Sequence, residues 1–470
     1  MRTLLRICLP ALAVAAFAAP LQAAPADRRV EARAIYADVV AMRTAPGQAK
    51  VPEMARYLAD RFRAAGFPDA DITIVPHKDT AALVVRYRGD GSSGKKPVLA
   101  IAHMDVVDAL ASDWSRDPYR LIEEDGYLYG RGAWDNKAGL VAITSAFLRL
   151  KAEGFTPDRD LILVFSGDEE TTGGTTALLA REHRALVDAE YALNSDGGGG
   201  AFDAEGRLMG YGFQTSEKTY ATFRLTTRNK GGHSSAPRRD NAIYQLSAAL
   251  VRLGASPFPP QINDTTRAML VAEAERLGPT SEVGRAMARF VADPSDRSAA
   301  DRIEEDDAYV GWTRTTCVAT MLEGGHAENA LPQTAVATVN CRIFPGEALD
   351  SVRARLAATV ADPAITIQQT AEVLVAPGSA LRADVLEAYT RTLRRTHPEV
   401  KVLPTMSMGA TDGNIWRYHG VPTYGVDGMW VVTPEDDRAH GRDERVPVKA
   451  FEQNLDHWYW LLKDVGRAAR

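Results

Sequence analysis

Three short apolar runs in the first half of the chain, Val98 to Ala102, Leu161 to Phe165 and Tyr191 to Leu193, each stop at acidic or imidazole-bearing residues. The first runs into His103-Met104-Asp105, the second into Ser166-Gly167-Asp168-Glu169-Glu170, and the third into Asn194-Ser195-Asp196-Gly197-Gly198. Short unbroken apolar runs fit strands buried on both faces. Helical patterns at Leu140 to Leu150 and Thr175 to Arg184 separate them. Strands alternating with helices predict an α/β layer with a partly parallel sheet, in which active residues lie beyond the strand ends. The charged segments fall at such ends.

The 470 residues exceed one ordinary domain and suffice for a sizeable core in each of two. Upstream, Val30 to Ala65 is helical with a break at Pro46-Gly47, and strands are expected at Ile72 to Val75 and Ala82 to Tyr87. From Lys218 the pattern changes. A strand at Tyr220 to Thr227, a helix at Asn241 to Leu253, strands at Thr316 to Leu322 and Ala335 to Ile343, a helix at Leu349 to Val360 and a strand at Ile365 to Gln368 suggest an α+β unit inserted in the first. Within it, 265–305 is a charged, Ala-rich, helix-prone stretch that could cap a cleft. The chain resumes with a helix near Arg382 to Arg395, strands near Val402 and at Val421 to Val426, and a closing amphipathic helix at Phe451 to Leu462. The expected division is a leader at 1–24, a catalytic domain at 25–217 and 376–470, and an inserted unit at 218–375.

The leader is read from Arg2 and Arg6, the apolar run Ile7 to Phe17 and an Ala-rich exit, with cleavage near Ala23 or Ala24. The alternative is an uncleaved anchor, disfavoured by the weak hydropathy and short length of the run. Export places the mature chain in the periplasm or outside the cell. Net charge is −6, or −8 without the leader, which argues against a nucleic-acid surface or a polybasic membrane patch. Cys317 and Cys341 remain after cleavage, on two candidate strands joined by a Gly-rich turn; a disulfide between them is possible if the register suits.

Two further segments carry chemistry: Gly130-Arg131-Gly132-Ala133-Trp134-Asp135-Asn136-Lys137, a turn that opens a helix, and Ala439-His440-Gly441. Any one of these histidines or carboxylates alone fits a cap or a surface group. Together, five sites bringing imidazoles and carboxylates to one sheet edge would gather uncompensated negative charge unless cations neutralised it. Zinc accepts both donor types, and two ions about 3.5–4 Å apart can share a carboxylate. One ion would take His103, Asp135 and Asp196, and the other Asp135, Glu170 and His440. Glu169 is then free to act as general base and acid, and Asp105 to fix the His103 tautomer.

These motifs, in this order, resemble the dinuclear zinc exopeptidases and amidohydrolases that include ArgE, DapE, aminoacylase, glutamate carboxypeptidase and carboxypeptidase S. The resemblance spans nearly all the mature chain. It implies two Zn²⁺ per subunit, with Co²⁺ or Mn²⁺ as possible substitutes, a zinc-exopeptidase catalytic domain with a mixed central sheet, and an inserted α+β lid used in many members for dimerisation. Gly231-Gly232-His233-Ser234-Ser235-Ala236-Pro237 is similar to the lid motif of the carboxypeptidase S branch, which implies that His233 reaches a substrate oxygen. Asn329 and Arg342 match substrate-side positions, Arg342 as a carboxylate clamp or else a solvated strand arginine. Gly409 and Thr411, in Gly409-Ala410-Thr411-Asp412-Gly413, resemble a substrate-carboxylate loop. Two departures stand out: Asn136 where Asp is common, and Asp443 where Asn is more usual before Glu444.

The expected activity is hydrolysis of dipeptides or short peptides, as a carboxypeptidase or dipeptidase. Deacylation of N-acyl amino acids is the alternative, and a silent binding protein the third possibility. Gly89 to Lys95 approaches a phosphate loop but continues into Lys96 and lies between strands, and no His-Glu-x-x-His, Gly-x-Ser-x-Gly or dinucleotide fingerprint is present.

Overall fold

The computed structural model describes residues 25–467, so the expected leader lies outside the described residues. Eight strands form one mixed sheet in the order Ile72–His77, Thr80–Tyr87, Leu161–Ser166, Val98–His103, Tyr191–Phe202, Thr423–Val432, Leu208–Glu217 and Val402–Ser407. Its centre is parallel: Val98–His103 pairs parallel with both Leu161–Ser166 and Tyr191–Phe202, and Tyr191–Phe202 parallel with Thr423–Val432. Both central strands Val98–His103 and Leu161–Ser166 are buried throughout. Alternate residues explain why: Val98, Ala100 and Ala102 join the core under the helices Lys137–Ala152 and Val448–Val465, whereas Leu99 and Ile101 join a second core with Leu179 and Trp416 on the opposite face.

Tyr191–Phe202 runs well past the expected Leu193, and Leu208–Glu217, which carries no clear apolar pattern, is its antiparallel neighbour. The extension is Gly-rich because other backbone crowds it. A Cβ at Gly198, whose φ is +83°, would sit 2.6 Å from the Gly425 carbonyl oxygen.

A separate antiparallel sheet, ordered Thr316–Gly324, Thr334–Ile343, Thr219–Arg228 and Thr366–Gln369, comes from the middle of the chain. Thr334–Ile343 alternates buried and half-buried, with one face closed by the helices Ala242–Gly254 and Leu349–Val360 around its own core. Cys317 and Cys341 stand opposite each other in register and are disulfide-bonded. The helix-prone stretch forms three helices, Asp264–Leu277, Glu282–Ala292 and Arg297–Glu304, capped by Asn263, Ser281 and Asp296. None of their residues lines the cavity over the charged segments described below. Met269 packs on Phe344 and on Met406 of the edge strand Val402–Ser407, which places the insert on the sheet's flank.

Candidate metal centre

Parallel pairing brings three of the charged segments together. His103 is level with Ser166, and Ile101 with Asn194, so His103 at the end of its strand, Glu169 and Glu170 just beyond theirs and Asp196 within Tyr191–Phe202 lie toward the same edge of the parallel strands. Asp135 arrives on the turn before helix Lys137–Ala152, and His440 on the loop after Thr423–Val432. Among the described residues, possible ligand atoms converge in the sets His103, Asp135 and Asp196; His103, Glu169 and Glu170; and Asp135, Glu170 and His440.

Asp135 lies at the middle. Its Oδ1 is 2.9 Å from His103 Nε2 and its Oδ2 is 3.0 Å from His440 Nε2. His440 Nε2 is also 3.1 Å from Glu170, and Asp196 Oδ2 is 3.9 Å from His103 Nε2. His103 Nδ1 stands 2.9 Å from the Asp105 carbonyl oxygen, which can only accept, so Nδ1 carries the hydrogen. Nε2 of a neutral ring then turns a lone pair toward carboxylates. Such a contact needs a cation between the groups, either a proton or a metal ion.

Charge points the same way. Burial, and then the Asp135 charge, push Asp196 well above the usual carboxylate range. Glu169 is pushed up by burial, with Asp196, Asp412 and Glu170 adding to it. Hydrogen bonds to Asp135 and Glu170 raise His440 to about 10. Burial opposes ionisation of Asp135, but the imidazoles at its two oxygens outweigh it and hold it well below the usual range. A pocket that holds its carboxylates and imidazoles in this state lacks positive charge, and the oxygen and nitrogen donors present suit a divalent ion.

The Asp105 carboxylate has a task beside the one expected. Its oxygens accept from the backbone N–H groups of Glu169, at 3.1 Å, and Glu170, at 3.0 Å, fixing the turn that carries both. The hydrogen on His103 Nδ1 faces both the Asp105 carbonyl, at 2.9 Å, and the Asp105 carboxylate, at 3.5 Å, so Asp105 sets the tautomer through both groups. Asn136 is not turned to the metal donors: its Oδ1 accepts from Ser195 Oγ at 2.7 Å and its Nδ2 donates to the Ser195 carbonyl, bracing the segment before Asp196. Asp443 takes N–H and O–H hydrogen bonds from Ser115, so its extra charge is directed to that loop.

A cavity of about 550 Å³ opens over the cluster, lined by Glu169, Glu170, Asp196 and His440 and, further out, by Trp134, Met429, Trp430 and Val431. Gly409 and Thr411 line it too. Their polar groups are already engaged: the Gly409 N–H donates to Ser407 Oγ, and the Thr411 hydroxyl donates to Glu217 while accepting from Asn194 and Gly413. A substrate carboxylate would have to displace these bonds.

His233, Asn329 and Arg342 are not brought to the cavity wall. Gly232–His233 pairs antiparallel with Ala330–Leu331, and Ser234 N–H donates to the Asn329 carbonyl, so His233 and Asn329 share one small ribbon. His233 is exposed, with Nδ1 2.7 Å from Ser235 Oγ. Arg342, half-buried on Thr334–Ile343, stacks over the Tyr220 ring.

Sequence reasoning passed over the buried residues that tie the site together. Glu444 accepts from Arg131 and from the backbone of the Asp135 turn, and Glu217 accepts from Thr411, Gln214 and Arg417. The only signal was Glu444 following the His440 segment.

The sequence profile of Peptidase family M20/M25/M40 matches residues 99–464. Among relatives, "Probable carboxypeptidase S-like 2" of Dictyostelium discoideum is 27% identical over 403 residues, covering 82% of this chain and 75% of that one. The mouse (Mus musculus) "N-fatty-acyl-amino acid synthase/hydrolase PM20D1" is 28% identical over 415 residues, covering 83% and 79%. Among solved structures, the M20 family metallo-carboxypeptidase Sso-CP2 of Sulfolobus solfataricus superposes with a TM-score of 0.69 at 18% identity, covering 93% and 99%, a likeness of fold.

Proposed function

As a chain that belongs to Peptidase family M20/M25/M40, this protein is a metal-dependent hydrolase of peptide bonds, and we propose that it is a two-zinc exopeptidase releasing the C-terminal residue of dipeptides or short peptides. The observation that carries this is Asp135, each oxygen of which faces a different imidazole while Glu169 lines the same cavity. His103, Asp135 and Asp196 would hold one ion, and Asp135, Glu170 and His440 the other. Bound zinc supplies a Lewis acid and lowers the pKa of water. Glu169, on the turn fixed by Asp105, takes the proton of the attacking water and delivers it to the leaving nitrogen. His233 donates to the oxygen that gains charge at the scissile carbonyl, and Arg342, with Asn329 beside the ribbon, holds the terminal carboxylate. Because these three stand off the cavity wall, they reach substrate either by closure of the 218–375 unit on its own cleft or by serving the cleft of a partner subunit.

A second reading rests on the apolar outer wall formed by Trp134, Met429, Trp430 and Val431, together with the relative that carries the name of an N-fatty-acyl-amino acid hydrolase. That wall would receive the acyl chain of an N-acyl amino acid. Both readings assume a leader that exports the chain to the periplasm or the medium. The inserted unit is the place for a homodimer contact, where edge strand Thr316–Gly324 exposes Val318, Met321 and Leu322. Among the described residues no helix is long and apolar enough to cross a membrane.

Product identification by mass spectrometry tests the proposal, with zinc-loaded protein given dipeptides, longer peptides and N-acyl amino acids beside a chelated control. Chelator-sensitive release of one C-terminal residue is expected. Selective release of fatty or acetyl groups moves the assignment to the second reading, and no turnover with two metals bound overturns both.

A further inference from the structure

The two loops that deliver Asp135 and His440 are locked to each other by a single buried ion pair. Arg131 Nη1 donates to Glu444 Oε2 at 2.6 Å, with side chains only 3% and 0% exposed. The remaining bonds of the pair all go to the backbone of these two loops. Glu444 accepts the N–H groups of Gly132 at 3.1 Å, Trp134 at 2.7 Å and Asp135 at 3.1 Å, the last of these the amide of the bridging residue itself. Arg131 Nη2 donates to the carbonyls of His440 at 3.1 Å and Gly441 at 2.9 Å. His440 has φ of +63°, in the left-handed region where a side chain with a Cβ is disfavoured, and its carbonyl is one of those Arg131 holds.

Arg131 lies four residues before Asp135 and Glu444 four residues after His440, so each loop sends one charged side chain across to grip the backbone of the other. The distance between Asp135 Oδ2 and His440 Nε2 is therefore set by Arg131 and Glu444. His103 and Asp196 stand on parallel strands of the central sheet, and Arg131 and Glu444 make no hydrogen bond to either segment.

We infer that Arg131 and Glu444 are positioning residues for the metal centre that act more strongly on the site made by Asp135, Glu170 and His440, two of whose ligand loops they hold, than on the site made by His103, Asp135 and Asp196, where they hold the Asp135 loop alone. The inference rests on the proposed two-ion reading. Partners behind metal ligands are worth roughly 10- to 100-fold in metal affinity.

The test is a titration of metal-free full-length mature protein with Zn²⁺ against a chromophoric chelator, repeated with Co²⁺ by visible absorption. Glu444→Gln keeps the side-chain shape and part of the acceptor capacity, and Arg131→Lys keeps the charge but cannot reach both loops. Wild type is expected to bind two equivalents. In either variant the weaker step should fall by about 10- to 100-fold, while the other step and its Co²⁺ spectrum stay within a factor of about three. Equal weakening of both steps, or unchanged binding with only a lowered Tm, overturns the inference, because a pair that serves only the fold would act in one of those ways. If Glu444→Gln does not fold, Arg131→Lys decides by the same criterion. A wild type that binds fewer than two equivalents refutes the two-ion reading itself, a result distinct from two equivalents with unselective variants.

Discussion

His103 and His233 show how differently the central sheet and the inserted unit treat a functional side chain. His103 is 1% exposed at the end of a strand with neighbours on both sides, its ring held by a backbone carbonyl and facing the carboxylate of Asp135, which sits on another loop. His233 is exposed on a two-residue ribbon and is satisfied by Ser235, two residues along. The central sheet builds its site by cross-bracing segments far apart in sequence. The inserted unit carries His233 and Asn329 on one short ribbon and Arg342 on a strand, each held by near neighbours and none bonded to the metal donors. One region is braced across the chain before substrate arrives, and the other is held only locally.

The largest effect should come from breaking the braced side. Glu169→Gln is expected to lower kcat by roughly 10²- to 10⁴-fold with both metals retained, checked by steady-state kinetics beside elemental analysis. Loss of metal in that variant would make Glu169 a ligand. His233→Ala, on the locally held side, should cost about 10²- to 10³-fold in kcat with metal content unchanged. Arg342→Ala should act mainly on KM for substrates with a free C-terminal carboxylate, by roughly 10- to 100-fold, and hardly at all on C-terminally amidated ones. Equal effects on the two substrate kinds would return Arg342 to the role of a strand residue stacked on Tyr220. The smallest change in activity is expected from Cys317→Ser with Cys341→Ser. Opening a bridge between positions 24 apart should cost about 3 kcal/mol, read as a lower Tm of the antiparallel sheet with zinc binding intact.

The same contrast decides what could be read from sequence. The strands Val98–His103 and Leu161–Ser166 and the first residues of Tyr191–Phe202 are legible because central parallel strands are apolar where they are buried on both faces, and the charged residues that follow break that pattern sharply. Leu208–Glu217 escaped because Gly210 and Gly212 and its polar end Gln214 to Glu217 hide a strand that pairs with an equally Gly-rich neighbour. Helix Asp412–Tyr418 was masked by a stretch read as a loop, although Thr411 is its N-cap. Arg131 and Glu444 each sit in a legible segment, but their pairing carries no local signature because they are 313 positions apart, and Asp105 could be placed near His103 without revealing that its carboxylate also faces the Glu169 turn. The insert's helices were legible from composition, but their seat on Met406 depends on a strand more than a hundred residues later.

The most direct test is anomalous diffraction at the zinc edge from crystals of the zinc-loaded protein. Two peaks are predicted about 3.5–4 Å apart, one on each side of the Asp135 carboxylate, the first contacting His103 and Asp196 and the second Glu170 and His440. A single peak, or two peaks that do not share Asp135, would contradict the proposal that this carboxylate bridges a dinuclear centre.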